Sequence, residues 1–216
     1  MSARASILLT GFEPFGGDTV NPSERIARSL HGAEIDGARV HGEVLPCVFG
    51  ASITRLHEAL DRVRPTIALC LGQATGREGL TVERVAINVD DARMPDNAGA
   101  SPIDLPIVSG GPAAHFATLP IKAIVAGLQQ AGFAASVSQT AGTFVCNHVF
   151  YALMHRLGRG PARGGFLHVP ALPEQVRDDR PAPTMPFEAM VEGVRLALAI
   201  ALREREDLRA GGGSVA

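Results

Sequence analysis

Residues 134–169, AASVSQTAGTFVCNHVFYALMHRLGRGPARGGFLHV, decide the fold. Residues 134–139 read as extended, 146–157 as a helix and 165–169 as extended again, a strand–helix–strand unit. A further helix is expected just upstream at 120–131. At the other end of the chain, Ser6-Ile7-Leu8-Leu9-Thr10 is too short for a helix and is stopped by Gly11, so it reads as a buried strand feeding a glycine-rich loop. Asn21-Pro22-Ser23-Glu24 then starts a helix. Residues 39–45 (RVHGEVL) alternate as a strand, and Phe49, Ile53, Leu56, Leu60 and Val63 recur at helical spacing until Pro65. Residues 66–71 (TIALCL) form a second buried strand and 81–88 (TVERVAIN) are β-like. Residues 89–112, full of Asp, Asn, Pro and Gly, make a long irregular connection of the kind that usually carries function. Near the C-terminus, Thr184 followed by Pro186 and Glu188 marks a helix start, and Phe187, Val191, Val194, Leu198 and Leu202 continue one face. The alternation implies an α/β fold with a mostly parallel twisted central sheet and helices on both faces. It forms one domain over residues 1–208, with 209–216 expected as a disordered tail.

The composition supports this reading. A chain of 216 residues, 46% of them apolar, is long enough for one sizeable core. Twenty basic and 22 acidic residues, mixed along the chain to a formal charge of −2, offer no stripe for nucleic acid or for an anionic membrane surface. No apolar run approaches the roughly 20 residues that span a bilayer, and residues 1–9 lack the segments of a signal peptide, so the expected compartment is the cytoplasm. Cys47, Cys70 and Cys146 are odd in number and contain no CxxC pair, which argues against a disulfide framework and against a structural zinc site.

In open α/β sheets, ligands bind beyond the carboxyl ends of the strands, where loops meet the positive ends of the following helices. Cys146 sits in such a strand-to-helix turn, and a helix N-terminus favours the thiolate, the nucleophilic form. His168 lies near the end of the next strand, where a right-handed crossover would bring it to the same edge of the sheet. A Cys/His pair needs a third group to fix the imidazole, and Glu83 is a carboxylate inside an apolar strand. Each residue also has a structural reading: free cysteines are often buried as small apolar groups, His168 could be a satisfied core histidine, and Glu83 could pair with Arg84 or Arg93. Cys70, embedded in Ile67-Ala68-Leu69-Cys70-Leu71, fits the structural reading, and Cys47 reads as a packing residue.

Several segments in order resemble one family, pyroglutamyl peptidase I, also called pyrrolidone-carboxylate peptidase. They are Gly11-Phe12-Glu13-Pro14-Phe15-Gly16-Gly17 with Asn21-Pro22-Ser23; Gly72-Gln73-Ala74; Glu83-Arg84-Val85-Ala86-Ile87-Asn88; Asp91-Ala92-Arg93-Met94-Pro95-Asp96-Asn97; Ala141-Gly142-Thr143-Phe144-Val145-Cys146-Asn147; and Phe166-Leu167-His168-Val169-Pro170. The resemblance implies a three-layer α/β/α sandwich, usually a homotetramer, that needs no cofactor and hydrolyses the bond after an N-terminal pyroglutamyl residue. It places the family's Cys, His and Glu triad on Cys146, His168 and Glu83. It implies that Phe12, Phe15, Phe144 and Val145 enclose the lactam ring, that Gln73 and Asn21 position or contact its amide groups, and that Arg93 and the Cys146 amide are oxyanion candidates. Cys47 stands where the family more often has threonine, and Met94 where it often has a branched aliphatic; both bear on pocket shape.

Three rivals are set against this reading. A nucleoside phosphorylase shares the general architecture but needs an Arg and Gly phosphate cluster that the sequence does not display. An inactive pyroglutamyl-peptide binding protein would not need all three triad residues. A metal site from Cys146, His148 and His155 is disfavoured, since the two histidines lie about two helical turns apart.

Overall fold

The computed structural model describes residues 5–176 and 181–213. In chain order the elements are β1 (Ser6–Phe12), α1 (Pro22–Leu30), β2 (Glu34–Ile35), β3 (Ala38–Leu45), α2 (Ala51–Val63), β4 (Ile67–Gln73), β5 (Leu80–Glu83), β6 (Val85–Ile87), β7 (Ala114–Phe116), α3 (Ile121–Gln130), β8 (Ala135–Ser138), α4 (Val145–Leu157), β9 (Arg163–Val169) and α5 (Phe187–Arg203). Seven strands form the main sheet in the order β2-β3-β1-β4-β9-β5-β8, and β6 pairs with β7 in a separate ribbon.

The apolar runs of β1, β4 and β9 are buried along almost their whole length because helices cover both faces of the sheet. One apolar cluster joins the sheet to α1, α3 and α5 through Ile26, Leu30, Ile124, Leu128, Val194 and Leu198. The other joins it to α2 and α4 through Leu56, Leu60, Val149, Phe150 and Leu153. This is the three-layer α/β/α sandwich, and each fully buried Leu or Ile contributes about 1.5–3 kcal/mol of transfer free energy. Alternate residues along β9 separate the layers: Leu167 and Val169 face the first cluster, Phe166 the second.

The helix starts follow from local chemistry. Asn21 caps α1 by accepting from the Ser23 amide at 3.0 Å, with Pro22 at the first helical position. The Ser23 hydroxyl then accepts from the Phe12 amide at 3.0 Å. A Cβ on Gly11 would lie 2.1 Å from the Ser23 carbonyl oxygen, so only glycine lets α1 start directly on the end of β1.

Three expectations need correction. The β-like stretch 81–88 is two strands that part at Arg84, with β5 in the main sheet and β6 in the ribbon. Thr184 does not start the last helix; it bridges to Ala171, and α5 begins after Pro186. The unit at 134–169 is not a parallel crossover, because β8 runs parallel to β5 while β5 runs antiparallel to β9 and lies between them. The sheet is mostly parallel, with antiparallel pairs at β2–β3 and β5–β9. In the expected tail, Ala210 and Gly212 carbonyls accept from Lys122 and Arg84, and residues 214–216 lie outside the described residues.

Candidate active site

The site is assembled around the ends of β4 and β9. Gly72 and Gln73 of β4 lie in register with His168 and Val169 of β9, and His168 is opposite Thr81 of β5. Side chains two apart on a strand share a face, so Glu83 projects on the same face as Thr81, beside the imidazole. His168 Nδ1 and Glu83 Oε1 are 2.7 Å apart. Both groups are deeply buried, His168 at 3% exposure and Glu83 at 0%.

Cys146 reaches this face from above, as the second residue of α4. A Cβ on Gly72 would lie 2.8 Å from Cys146 Sγ and 2.9 Å from the Phe166 ring, so the sulfur rests on a glycine whose strand partner is His168. Phe166 packs on the imidazole with ring centroids 4.8 Å apart. The three residues expected as a triad are thus brought to one face of the sheet, though by the reversal at β5 and not by the expected crossover. Among the described residues no side chain caps α4 and no acidic residue stands in its first turn, leaving that positive end open around Cys146.

The electrostatics also differ from expectation. The helix end is expected to favour thiolate, but burial pushes the Cys146 thiol up, and the Glu83 charge pushes it further. Burial lowers His168 below the ordinary histidine value, against the opposing pull of the Glu83 hydrogen bond and charge. At neutral pH the pair rests as a thiol beside a neutral imidazole. Desolvation drives Cys70 and Cys47 up to about 12, which makes both poor nucleophiles.

Glu83 does not pair with Arg84 or Arg93. Its partner besides His168 is Arg77, whose Nη1 donates to Oε1 at 2.5 Å. Arg77 was missed in the sequence because it stands in the Gly76–Gly79 turn, six residues from the carboxylate; a cation within reach of a strand-buried acid is the signal that could have found it. Arg84 instead donates to Gln139 and the Gly212 carbonyl.

The expected pocket residues divide into two groups. Phe15 and Phe144 are half-buried with ring centroids 6.2 Å apart, and Phe49 meets Phe144 edge-on at 5.3 Å. Phe12 and Val145 are buried in the cluster behind them, Phe12 against Phe166. Asn21 donates to the Glu13 carbonyl at 3.1 Å and holds the loop from β1 to α1, so it positions that loop. Gln73 donates to Thr75 and accepts from Gln175, whose amide also reaches the Val20 carbonyl. Arg93 and Met94 are exposed and, with Asp91, Gly142, Thr143 and Phe144, line a cleft of about 690 Å³.

The long connection builds one wall of that cleft. Asn147 of α4 accepts from the Ile87 amide and donates to the Ile87 and Val89 carbonyls; Thr143 and Asp91 exchange two further hydrogen bonds. Asp96 accepts from three amides, at Phe49, Ala98 and Ala100, and Asn97 donates to Glu13 and the Pro14 carbonyl. Cys47 is tied into the same knot, donating to Glu13 and accepting from the Asn97 amide. His148 is engaged at both ring nitrogens, by Asp90 at 2.7 Å and by the Gly50 amide at 2.9 Å, while His155 faces His115.

Comparison with known proteins agrees with this geometry. A model of the pyroglutamyl peptidase family matches residues 5–204. A pyrrolidone-carboxylate peptidase of Chromobacterium violaceum is 56% identical over 210 residues, covering 97% of this chain and 99% of the relative. The crystal structure of pyroglutamyl peptidase I from Bacillus amyloliquefaciens is similar with a TM-score of 0.91 at 45% identity, covering 94% of this chain and 100% of that one. A mutant pyrrolidone carboxyl peptidase from the hyperthermophile Pyrococcus furiosus is similar with a TM-score of 0.90 at 44% identity, over 92% and 98%. The chain belongs to the pyroglutamyl peptidase family, a family of cysteine peptidases.

Proposed function

We infer that this chain removes an N-terminal pyroglutamyl residue from peptides, with Cys146 as nucleophile, His168 as general base and then acid, and Glu83 as the group that orients the imidazole. The observation that carries this reading is a half-buried thiol seated on Gly72 opposite His168, whose Nδ1 is fixed by a fully buried carboxylate. His168 Nε2 takes the thiol proton as the sulfur attacks the pyroglutamyl carbonyl. The open amides of the α4 N-terminus, that of Cys146 among them, favour the developing oxyanion, and Arg93 at the cleft rim is a second donor. The imidazolium returns the proton to the leaving amine, giving a thioester, and water assisted by His168 then releases pyroglutamate.

The lactam ring has no free amine, so a pocket of apolar walls with few polar groups suits it, and Phe144 at the cleft, with Phe15 packed against it, supplies such walls. No metal or cofactor takes part in these steps. A single domain over residues 1–208 is supported by the continuous sheet and its two apolar clusters. A homotetramer is supported by the exposed apolar residues Ile103, Leu105 and Phe116, and a reducing cytoplasm by the need for a free thiol; light scattering of the purified chain tests the first. The reaction is tested with fluorogenic pyroglutamyl and prolyl amides, with and without a thiol-alkylating reagent. Alkylation-sensitive cleavage of the pyroglutamyl amide alone is expected, and its absence under reducing conditions would overturn the reading.

A further inference from the structure

Glu83 receives two donors on one oxygen, Nδ1 of His168 and Nη1 of Arg77. The neutral imidazole brings a hydrogen bond but no charge. A carboxylate taken wholly out of water is costly unless a cation or several donors compensate it, so Arg77 is its electrostatic partner in the resting enzyme. The same guanidinium does more than pair. Nη1 also donates to Thr81 Oγ1 at 3.0 Å and Ser138 Oγ at 3.1 Å, and Nη2 donates to the Thr140 carbonyl at 2.8 Å. Thr140 opens the turn that leads into α4, and its hydroxyl accepts from the Gly142 amide at 3.0 Å. One planar fork therefore spans the ends of β5 and β8 and the turn that presents Cys146. A lysine, with a point charge and no fork, cannot reproduce that set of contacts.

We propose that Arg77 is a positioning residue for the reaction, holding Glu83 aimed at His168 while it anchors the 139–144 turn that carries Cys146. This rests on the triad reading above and deepens it. The titratable and charged groups around the carboxylate are Arg77 from the β4–β5 turn, His168 from β9 and Cys146 from α4, while β8 presents the Ser138 hydroxyl. The Arg77 charge favours neutral His168 in the resting enzyme and eases proton loss from Cys146.

The test compares Arg77→Gln, Arg77→Lys, Glu83→Gln and the double variant Arg77→Gln/Glu83→Gln on a pyroglutamyl amide, with kcat and KM followed across pH. Arg77→Gln is expected to lower kcat by about 30-fold with KM changed by less than about twofold, because the loss lies in orienting the base and not in holding the substrate. Its acid limb moves to higher pH, since without the cation His168 takes up a proton more readily. Arg77→Lys should recover part of the rate. In the Glu83→Gln background the same substitution should cost less than about threefold, because residues that act as a unit are not additive. A kcat for Arg77→Gln within twofold of wild type, a loss confined to KM, or the full loss repeated in the Glu83→Gln background would each overturn the role given to Arg77. Glu83→Gln turning over at the wild-type rate would instead overturn the triad reading beneath it. Should Arg77→Gln not fold, Arg77→Lys alone and over Glu83→Gln decides the matter by the same comparison.

Discussion

From β3 through β1 and β4 to β9 the sheet is parallel, and beyond β9 its direction reverses at β5. The two regions bury different chemistry. The central strands β1 and β4 present near-continuous buried apolar runs, with Thr10 beside Cys70. At the seam, Thr81, Glu83, Ser138 and His168 crowd around Arg77 and are joined through it and Glu83 Oε1 by hydrogen bonds. The reversal is what allows it: an antiparallel neighbour sets Glu83 diagonally across from His168, so the acid approaches the imidazole from a strand running the other way. The parallel part thus works as scaffold, and the seam, closed over by α4, works as reaction site. Substitutions in the two regions should separate stability from turnover.

The largest effect belongs to the sulfur. Cys146→Ser should reduce kcat by about 10³-fold or more while leaving the thermal midpoint near that of wild type, because a hydroxyl beside His168 is a far weaker nucleophile and the half-buried position changes by a single atom of similar size. Full activity in this variant, measured with the pyroglutamyl amide, would dissolve the distinction between seam and scaffold.

One substitution at two glycines sharpens it. At Gly72 the added Cβ would stand 2.8 Å from Cys146 Sγ and 2.9 Å from Phe166, so Gly72→Ala should displace the sulfur and lower kcat about 10- to 100-fold at modest cost in stability. At Gly42 of β3 the same carbon would stand 1.9 Å from the Ala27 carbonyl oxygen, backbone that cannot rotate away. Gly42→Ala should cost about 3 kcal/mol or more of stability by overpacking, with the activity of the folded fraction kept. Paired denaturation curves and active-site titrations distinguish the two outcomes; a Gly72→Ala enzyme with normal kcat would show that Sγ is not held by that glycine.

The scaffold was far more legible in the sequence than the seam. Ser6–Thr10, residues 66–71 and the helix Ala51–Val63 announce themselves through apolar run length and spacing, because burial on two faces, or on one stripe, imposes a local pattern. The strand break at Arg84 leaves no such trace: TVERVAIN is equally β-like throughout, and the side chain that closes the network, Arg77, lies in a turn whose residues obey no periodicity. The pairing of β5 with β9 is a long-range choice that residues 134–169 do not reveal on their own. Cys146, His168 and Glu83 stand out as candidates by residue type and place in their elements, and the family resemblance assigns them as a triad, but the link between two of them, the Nδ1–Oε1 contact, exists only once the sheet has reversed.

The reaction's pH dependence comes next in size. His168 acts as a base only when neutral, and burial lowers its proton affinity from the ordinary value near 6.5. The acid limb of kcat/KM should therefore fall below pH 6.5, activity persisting there and declining as pH drops through the lowered value. A limb above 6.5 would mean that the Glu83 hydrogen bond and charge outweigh burial. It would remove the resting thiol and neutral imidazole pair from the account.

The smallest effect should come from the scaffold thiol. Cys70 is fully buried in β4, with burial raising it to about 12, and it lies two residues before Gly72 on the same face. Its distance from the chemistry is only one strand repeat, so it tests how sharply function ends. Cys70→Ser keeps the volume nearly constant but buries a more polar group in an apolar cluster where Thr10 is the polar neighbour, a cost of about 1–2 kcal/mol. For a chain of this size that is a fall in thermal midpoint of about 3–6 °C. The kcat of the folded enzyme should stay within twofold of wild type, and mass spectrometry after brief alkylation of the wild type at neutral pH should find the adduct on Cys146 and not on Cys70. A large loss of turnover in Cys70→Ser without a matching loss of stability would extend the reaction site into the parallel strands and erase the boundary drawn at Gly72.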